Sequence, residues 1–349
     1  MPDSSNRQQD RLSTLVPSAS IPALPRASTI AVIDPQASAF GYEHRRPDWP
    51  WIMVPEGETR TLTLGINAKD PVVLNGPAPD GTVELLHMNR CHVKLNGMRL
   101  QIRGMQSTRN IPIDLYQPGR YLRVWVSVKS RLDVHIIAHY VEHGPLLKTR
   151  ISKEQLRAVI ENANAILAPQ ANVHLVLARE STLSHERIGK RLGLSVEYSS
   201  DAVTQEQALL NAHKQTIPTT NWVVNLFLVR GYKGKNKREK KNPLATMSND
   251  GCCIFEDHLH ESDTYDTKKA GHTLAHEVSH YLIGANPKPI KDDPAHTSNP
   301  NSLMYPHSSG GTRLSRAEIE KMNPSISYVR QLPAIDPFGA PDPDPRWLA

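Results

Sequence analysis

Two histidines four residues apart, with a glutamate after the first, spell HEVSH at His276, Glu277 and His280 within AGHTLAHEVSHYLIGANP. Residues spaced this way stand one turn apart on the same face of an α-helix, so both imidazoles can reach a single ion. The flanking sequence supports a helix. Leu274, Val278 and Leu282 recur at i, i+4 and i+8 and form an apolar stripe beside the histidine face. Asp266 or Thr267 can cap its start, and Gly284 offers a left-handed stop before Pro287. His272, one turn earlier on the same face, reads as a supporting or solvent-facing residue. The plain alternative is two surface histidines on an ordinary amphipathic helix.

The residue types fit a zinc site. Zn²⁺ accepts neutral imidazole nitrogen, and a catalytic site takes three protein ligands while keeping a fourth position for water. Glu277, beside the first histidine in sequence, is placed to take a proton from that water. A third ligand is then required. The downstream segment NPKPIKDDPAHTSNPNSLMYP supplies Asp292, Asp293 and His296, and a later helix supplies Glu318 or Glu320, which would give two histidines and a glutamate.

The helix and the segment after it resemble the metzincin clan of zinc peptidases, whose pattern is HExxHxxGxxH followed by a tight turn containing methionine. The resemblance implies that His276 and His280 are ligands, Glu277 the general base, Met304 in SLMYP the turn methionine, and His296 the third ligand. Two positions depart from the pattern: Ile283 stands where the clan has glycine, and Asn286 where it has the third histidine. With His296 as ligand, about ten extra residues separate the helix from the third donor, which surface loops tolerate because closure entropy grows only logarithmically with length. Tyr305 and His307 become candidate substrate contacts.

Upstream, the sequence divides by periodicity. Residues 1–29 read as a disordered lead without the apolar run of a signal peptide, and no stretch approaches a membrane span. The expectation is a cytoplasmic product, with signal-independent secretion still open. From 30 to 130 the pattern has period two, with turn signals at Asn75-Gly76 and Asp80-Gly81 and a hairpin in CHVKLNGMRLQIRG around Asn96-Gly97. Leu122, Val124, Val126 and Val128 alternate with polar neighbours. These features predict a β-sandwich-like domain, or an open barrel. The aromatic group Phe40, Tyr42, Trp49 and Trp51 reads as packing against it.

From 131 to 332 the pattern becomes strand, helix, strand, helix, strand. VHIIAHYV (134–141) is a strand. A helix follows over 152–168, with Ser152 and Gln155 as a capping box, ended by Pro169. Val173–Ala178 is the second strand, a helix covers about 204–214, and Trp222–Val229 is the third strand. Parallel pairing with helices on the faces follows. The order resembles the sheet that precedes the metal-bearing helix in metzincins. That implies a twisted, mostly parallel sheet with an antiparallel edge strand, Cys252 to Phe255, along the cleft, with Cys252 and Cys253 near an extended peptide. Ser315 and Glu318 make a third capping box, with Leu314 and Ile319 as its hydrophobic staple. A proline-rich tail occupies 333–349.

The fold class is therefore α+β: a β-rich domain followed by a metzincin-like domain with an active-site helix and a Met-turn. Three cysteines, two of them adjacent, exclude a stapled secretory framework and read as small core residues. The net charge of +6 favours acidic partners, and KGKNKREKKN (233–242) could dock one, although such a run is more simply a solvated loop. Only Tyr232 stands near it as an aromatic, so a nucleic-acid stacking surface is not indicated. The expected function is a zinc endopeptidase acting on proteins or peptides through a metal-activated water with Glu277 as base. The alternative is a non-catalytic binding module on the same fold, with a structural metal or none.

Overall fold

A computed structural model describes residues 28–33, 42–43, 50–66, 73–74, 83–87, 90–117, 120–142, 149–184, 213–218, 220, 222–229, 245–247, 251–256, 265–283, 296–306 and 311–324. The architecture is mixed α+β, with three sheets and few helices among the described residues.

The period-two region forms two sheets. One contains β1 (Ser28–Thr29), β2 (Tyr42–Glu43), β3 (Trp51–Pro55), β5 (Val73–Leu74), β9 (Thr108–Gln117) and β10 (Arg120–Lys129), in the order β2-β3-β10-β9-β5 with β1 also on β10. The other runs β4 (Thr59–Thr63), β8 (Arg99–Gly104), β7 (Cys91–Asn96), β6 (Val83–His87). The hairpin joining β7 and β8 turns at Asn96-Gly97 as the sequence predicts, with Gly97 at φ 55°. Alternation puts Val93, Leu95, Leu100 and Ile102 of one sheet and Ile111, Ile113, Val124 and Val126 of the other into a shared apolar core. Cys91 is buried there too, and burial pushes its thiol up to about 12.

The third sheet contains β11 (Leu132–Glu142), β12 (Val173–Ser184), β13 (Val223–Val229), β14 (Ala245–Met247) and β15 (Cys252–Glu256), in the order β12-β11-β13-β15-β14. β11 pairs in parallel with both β12 and β13, as crossover connections demand. An antiparallel edge strand is present as expected, but Cys252–Glu256 does not form it. β15 lies between β13, parallel, and β14, antiparallel, so its main chain is paired on both sides over Cys253–Phe255. Among the described residues, β14 is the edge on this side and β12 the edge on the other, because the short run Ala245–Met247 pairs along the outside of β15. Cys253 therefore does not border an open strand edge.

Helix α1 (Lys153–Ala171) starts at the expected capping box: the Gln155 N–H donates to Ser152 Oγ, and the Ser152 N–H to Gln155 Oε1. It does not stop at Pro169. In the last turn the missing N–H forfeits one bond only, and the helix runs on until Asn172 turns left-handed at φ 52°. The second helix expected near 204–214 and the 233–242 basic run lie essentially outside the described residues. Helices α2 (Thr267–Ile283) and α3 (Arg316–Met322) are the others among the described residues, and α3 carries the predicted Ser315–Glu318 capping box. Among the described residues no helix is long and apolar enough to cross a membrane.

Strand β3 joins the two halves. Its Ile52 and Val54 face the two-sheet core, while Trp51 and Met53 belong to the cluster built by α1, α2, α3 and one face of the β11 sheet. Arg316 lies over the Trp51 ring at 5.8 Å, and the indole N–H donates to Ser127 Oγ. Glu320 of α3 reaches into the same interface. Its carboxylate accepts from Ser127 Oγ and from Lys129 Nζ, each at 2.7 Å.

α2 crosses α1 at Gly271. A Cβ there would meet the Val159 carbonyl oxygen at 2.9 Å and the Ala163 nitrogen at 3.1 Å, and would overlap Asn162 Cβ. Alanine is the better helix former by about 1 kcal/mol, but here it must push the helices apart. Gly271→Ala is therefore expected to lower unfolding free energy by about 1–3 kcal/mol in a urea titration. A variant as stable as the parent would mean that the crossing is looser than the geometry indicates.

Candidate metal centre

α2 begins where Asp266 Oδ1 accepts from the N–H groups of Lys268 and Lys269, so aspartate is the cap. Leu274, Val278 and Leu282 are buried as the stripe requires, and this rotational setting presents His276 and His280 together.

His296 joins them from the segment that leads into the Met304 turn. The three Nε2 atoms converge: His276 to His280 is 3.0 Å, His280 to His296 is 3.1 Å, and His276 to His296 is 3.2 Å. The His276 and His296 rings stack at 16°, and His280 meets both edge-on. These three are the group that could hold a metal among the described residues.

The donor set fits a cation of the zinc class. Three nitrogens each ~2.0–2.1 Å from a tetrahedral ion lie roughly 3.3 Å from one another, close to the separations found. The tautomer agrees. With its Nδ1–H donated to the Leu303 carbonyl at 2.6 Å, a neutral His276 turns a bare Nε2 lone pair toward the other two rings. Imidazole nitrogens aimed at one point repel unless a positive charge lies between them.

The turn holds the ring of His276 and the main chain that follows His296. Its Leu303 carbonyl holds His276 directly, and its Met304 carbonyl accepts from Thr297 N–H at 3.0 Å, which folds the residue after His296 back against the turn. Met304 itself is buried, its N–H donating to Ser302 Oγ. The Leu303 N–H is held by the Arg313 carbonyl at 2.8 Å.

Glu277 is buried on α2 beside His276, and desolvation pushes its carboxyl up to about 8. A divalent cation among the neighbouring imidazoles would favour the ionised form and oppose that shift.

The other expected residues fall as follows. Glu318 is engaged in capping α3, accepting from Ser315 N–H, and Glu320 is engaged by Ser127 and Lys129. Neither joins the histidines, because the capping box and the sheet interface claim both carboxylates. Asp292, Asp293 and His307 lie outside the described residues, as do the side chains of Cys252 and Cys253. Tyr305 is half-buried directly after Met304, its N–H on the Ser302 carbonyl. His272 is neither solvent-facing nor a member of the cluster: its Nε2–H donates to the Gly311 carbonyl at 2.9 Å. Sequence reasoning missed Gln170, which bonds the main chain on both sides of Arg313. It lies beyond Pro169, where the helix was expected to have ended.

No family model and no curated protein sequence matches the chain. Among solved structures, a chaperone-substrate complex aligns with 65% of this chain at 11% identity and a TM-score of 0.33, and this chain spans only 38% of that one. Metalloproteinase-II from Bacteroides fragilis aligns with 77% of this chain and 84% of its own at 12% identity, also with a TM-score of 0.33. Likenesses this faint carry no argument about function, so the three imidazoles and the buried carboxylate beside them are the ground for one.

Proposed function

We propose that this protein is a zinc-dependent endopeptidase of metzincin-like design, with His276, His280 and His296 holding the metal and Glu277 as the general base. The observation that carries the reading is the meeting of three imidazole Nε2 atoms within 3.2 Å of one another, on and beside a helix that buries a glutamate next to the first of them. Zinc held by these three imidazoles would supply Lewis acidity, acidifying the attacking water and polarising the scissile carbonyl. Glu277 takes the proton of the attacking water and delivers it to the leaving amine. His276, its ring orientation set by Leu303, keeps its Nε2 lone pair aimed into the site. Met304 serves as the turn methionine of the clan pattern. An extended peptide substrate would add along β14, the outer strand of the sheet, through main-chain hydrogen bonds.

The test is metal content together with cleavage. Purified protein is expected to carry about one zinc per chain and to cut unfolded protein substrates, with activity lost to phenanthroline and restored by zinc. His296→Ala should weaken zinc binding by more than the roughly 100-fold at the upper end for merely supporting partners, measured by competition with a chromophoric chelator. Retained zinc without cleavage of any peptide in a diverse pool would favour the binding-module reading. Failure to bind zinc would overturn the proposal.

A further inference from the structure

We infer that Gln170 is a positioning residue of the metal centre, acting on His276 through the peptide groups of Arg313 and Leu303; the inference rests on the zinc reading above. Gln170 lies in the last turn of α1 and is buried. Its Nε2 donates to the Thr312 carbonyl at 2.7 Å and to the Ile166 carbonyl at 2.9 Å, while its Oε1 accepts from Leu314 N–H at 3.0 Å. One side-chain amide thus takes both main-chain groups that flank Arg313.

Along an extended segment, successive residues turn their main-chain groups to opposite sides. With Thr312 C=O and Leu314 N–H held toward α1, Arg313 must direct its own N–H and C=O the other way, toward the turn. There the N–H donates to the Asn301 carbonyl at 3.2 Å, and the C=O accepts from Leu303 N–H at 2.8 Å. The Ser302–Arg313 bridge is the resulting one-residue parallel pairing. Gln170 therefore stands in for a neighbouring strand on the far edge of this segment. Leu303, fixed through its N–H, presents its carbonyl to His276 Nδ1 at 2.6 Å. His272 secures the same segment one step upstream at the Gly311 carbonyl. Three hydrogen-bonded steps connect an amide on α1 to the orientation of an imidazole on α2.

Partners that orient a ligand imidazole typically alter metal affinity 10–100-fold when removed. The full-length protein, Gln170→Leu, Gln170→Glu and a distant control, Ile113→Val in the two-sheet core, are compared by zinc competition against a chromophoric chelator. The absorption bands of the cobalt-loaded forms and the metal-free melting temperatures are also recorded. Gln170→Leu is expected to bind zinc roughly 10–100-fold more weakly and to shift the cobalt bands. Gln170→Glu should fall between, because a carboxylate still accepts from Leu314 N–H but no longer donates to Thr312. It carries the test if the leucine variant does not fold. Ile113→Val should lose some melting temperature and no affinity. Gln170 variants that melt earlier yet bind zinc as the parent does, with unchanged cobalt bands, would show a purely structural role and overturn the inference. A parent protein that binds neither zinc nor cobalt would instead defeat the metal reading on which it stands.

Discussion

Glu277→Gln is expected to retain zinc and to lose peptide-bond cleavage. The substitution keeps the shape and neutral volume of a protonated glutamate, so the buried site on α2 needs no repacking. The amide cannot accept the proton of an attacking water or deliver it to the leaving amine. General base catalysis contributes typically 10²–10⁴-fold, so turnover should fall by about that factor while metal content per chain stays that of the parent. Plasma emission for zinc and mass-spectrometric scoring of a peptide pool check the two halves separately. Parent-like cleavage by the variant would remove Glu277 from the mechanism. Loss of zinc along with cleavage would show that the carboxylate supports the metal itself.

The largest stability effect is expected at the buried ion pair between Lys129 and Glu320, whose side chains are only 0% and 6% exposed. Taking two charges out of water is expensive, and the pair offsets that cost only while both members remain. Lys129→Met leaves the Glu320 carboxylate buried with the Ser127 hydroxyl and no opposite charge from lysine, which should cost about 3–5 kcal/mol. Replacing both residues with methionine should recover most of that loss, because apolar side chains of similar volume need no partner. Urea titrations of the two single variants and the double variant form the cycle. Single variants within about 0.5 kcal/mol of the parent would show that water reaches the pair. The pair is also functionally placed: it fastens β10 to α3, the helix entered through the Arg313 segment that supports the Leu303 turn.

Local features were legible from residue order. The HEVSH helix, the Ser152 and Ser315 capping boxes and the Asn96-Gly97 hairpin each depend on residues a few positions apart, and each stands where the pattern puts it. So does the parallel placement of β12 and β13 on β11. Of the two caps the sequence offers, Asp266 and Thr267, the helix uses Asp266. The edge strand was misplaced because Ala245–Met247 is too short to show a period, and its antiparallel pairing over Cys253–Phe255 moves the edge outward. Proline at 169 was given too much weight, since its penalty falls to one hydrogen bond at a helix end.

The sequence alone determined which residue types could bind a metal and that two of them had to share a helix face, because a 3.6-residue period is written into the spacing. Only the tertiary structure brings His296 to His276 and His280 while engaging Glu318 and Glu320 elsewhere. It also decided that Gln170 meets Leu314 across 144 positions and Lys129 meets Glu320 across 191. Such contacts leave no period in the chain. They form when separately folded pieces bury their apolar faces together, and the polar groups trapped between those faces must then find partners in one another.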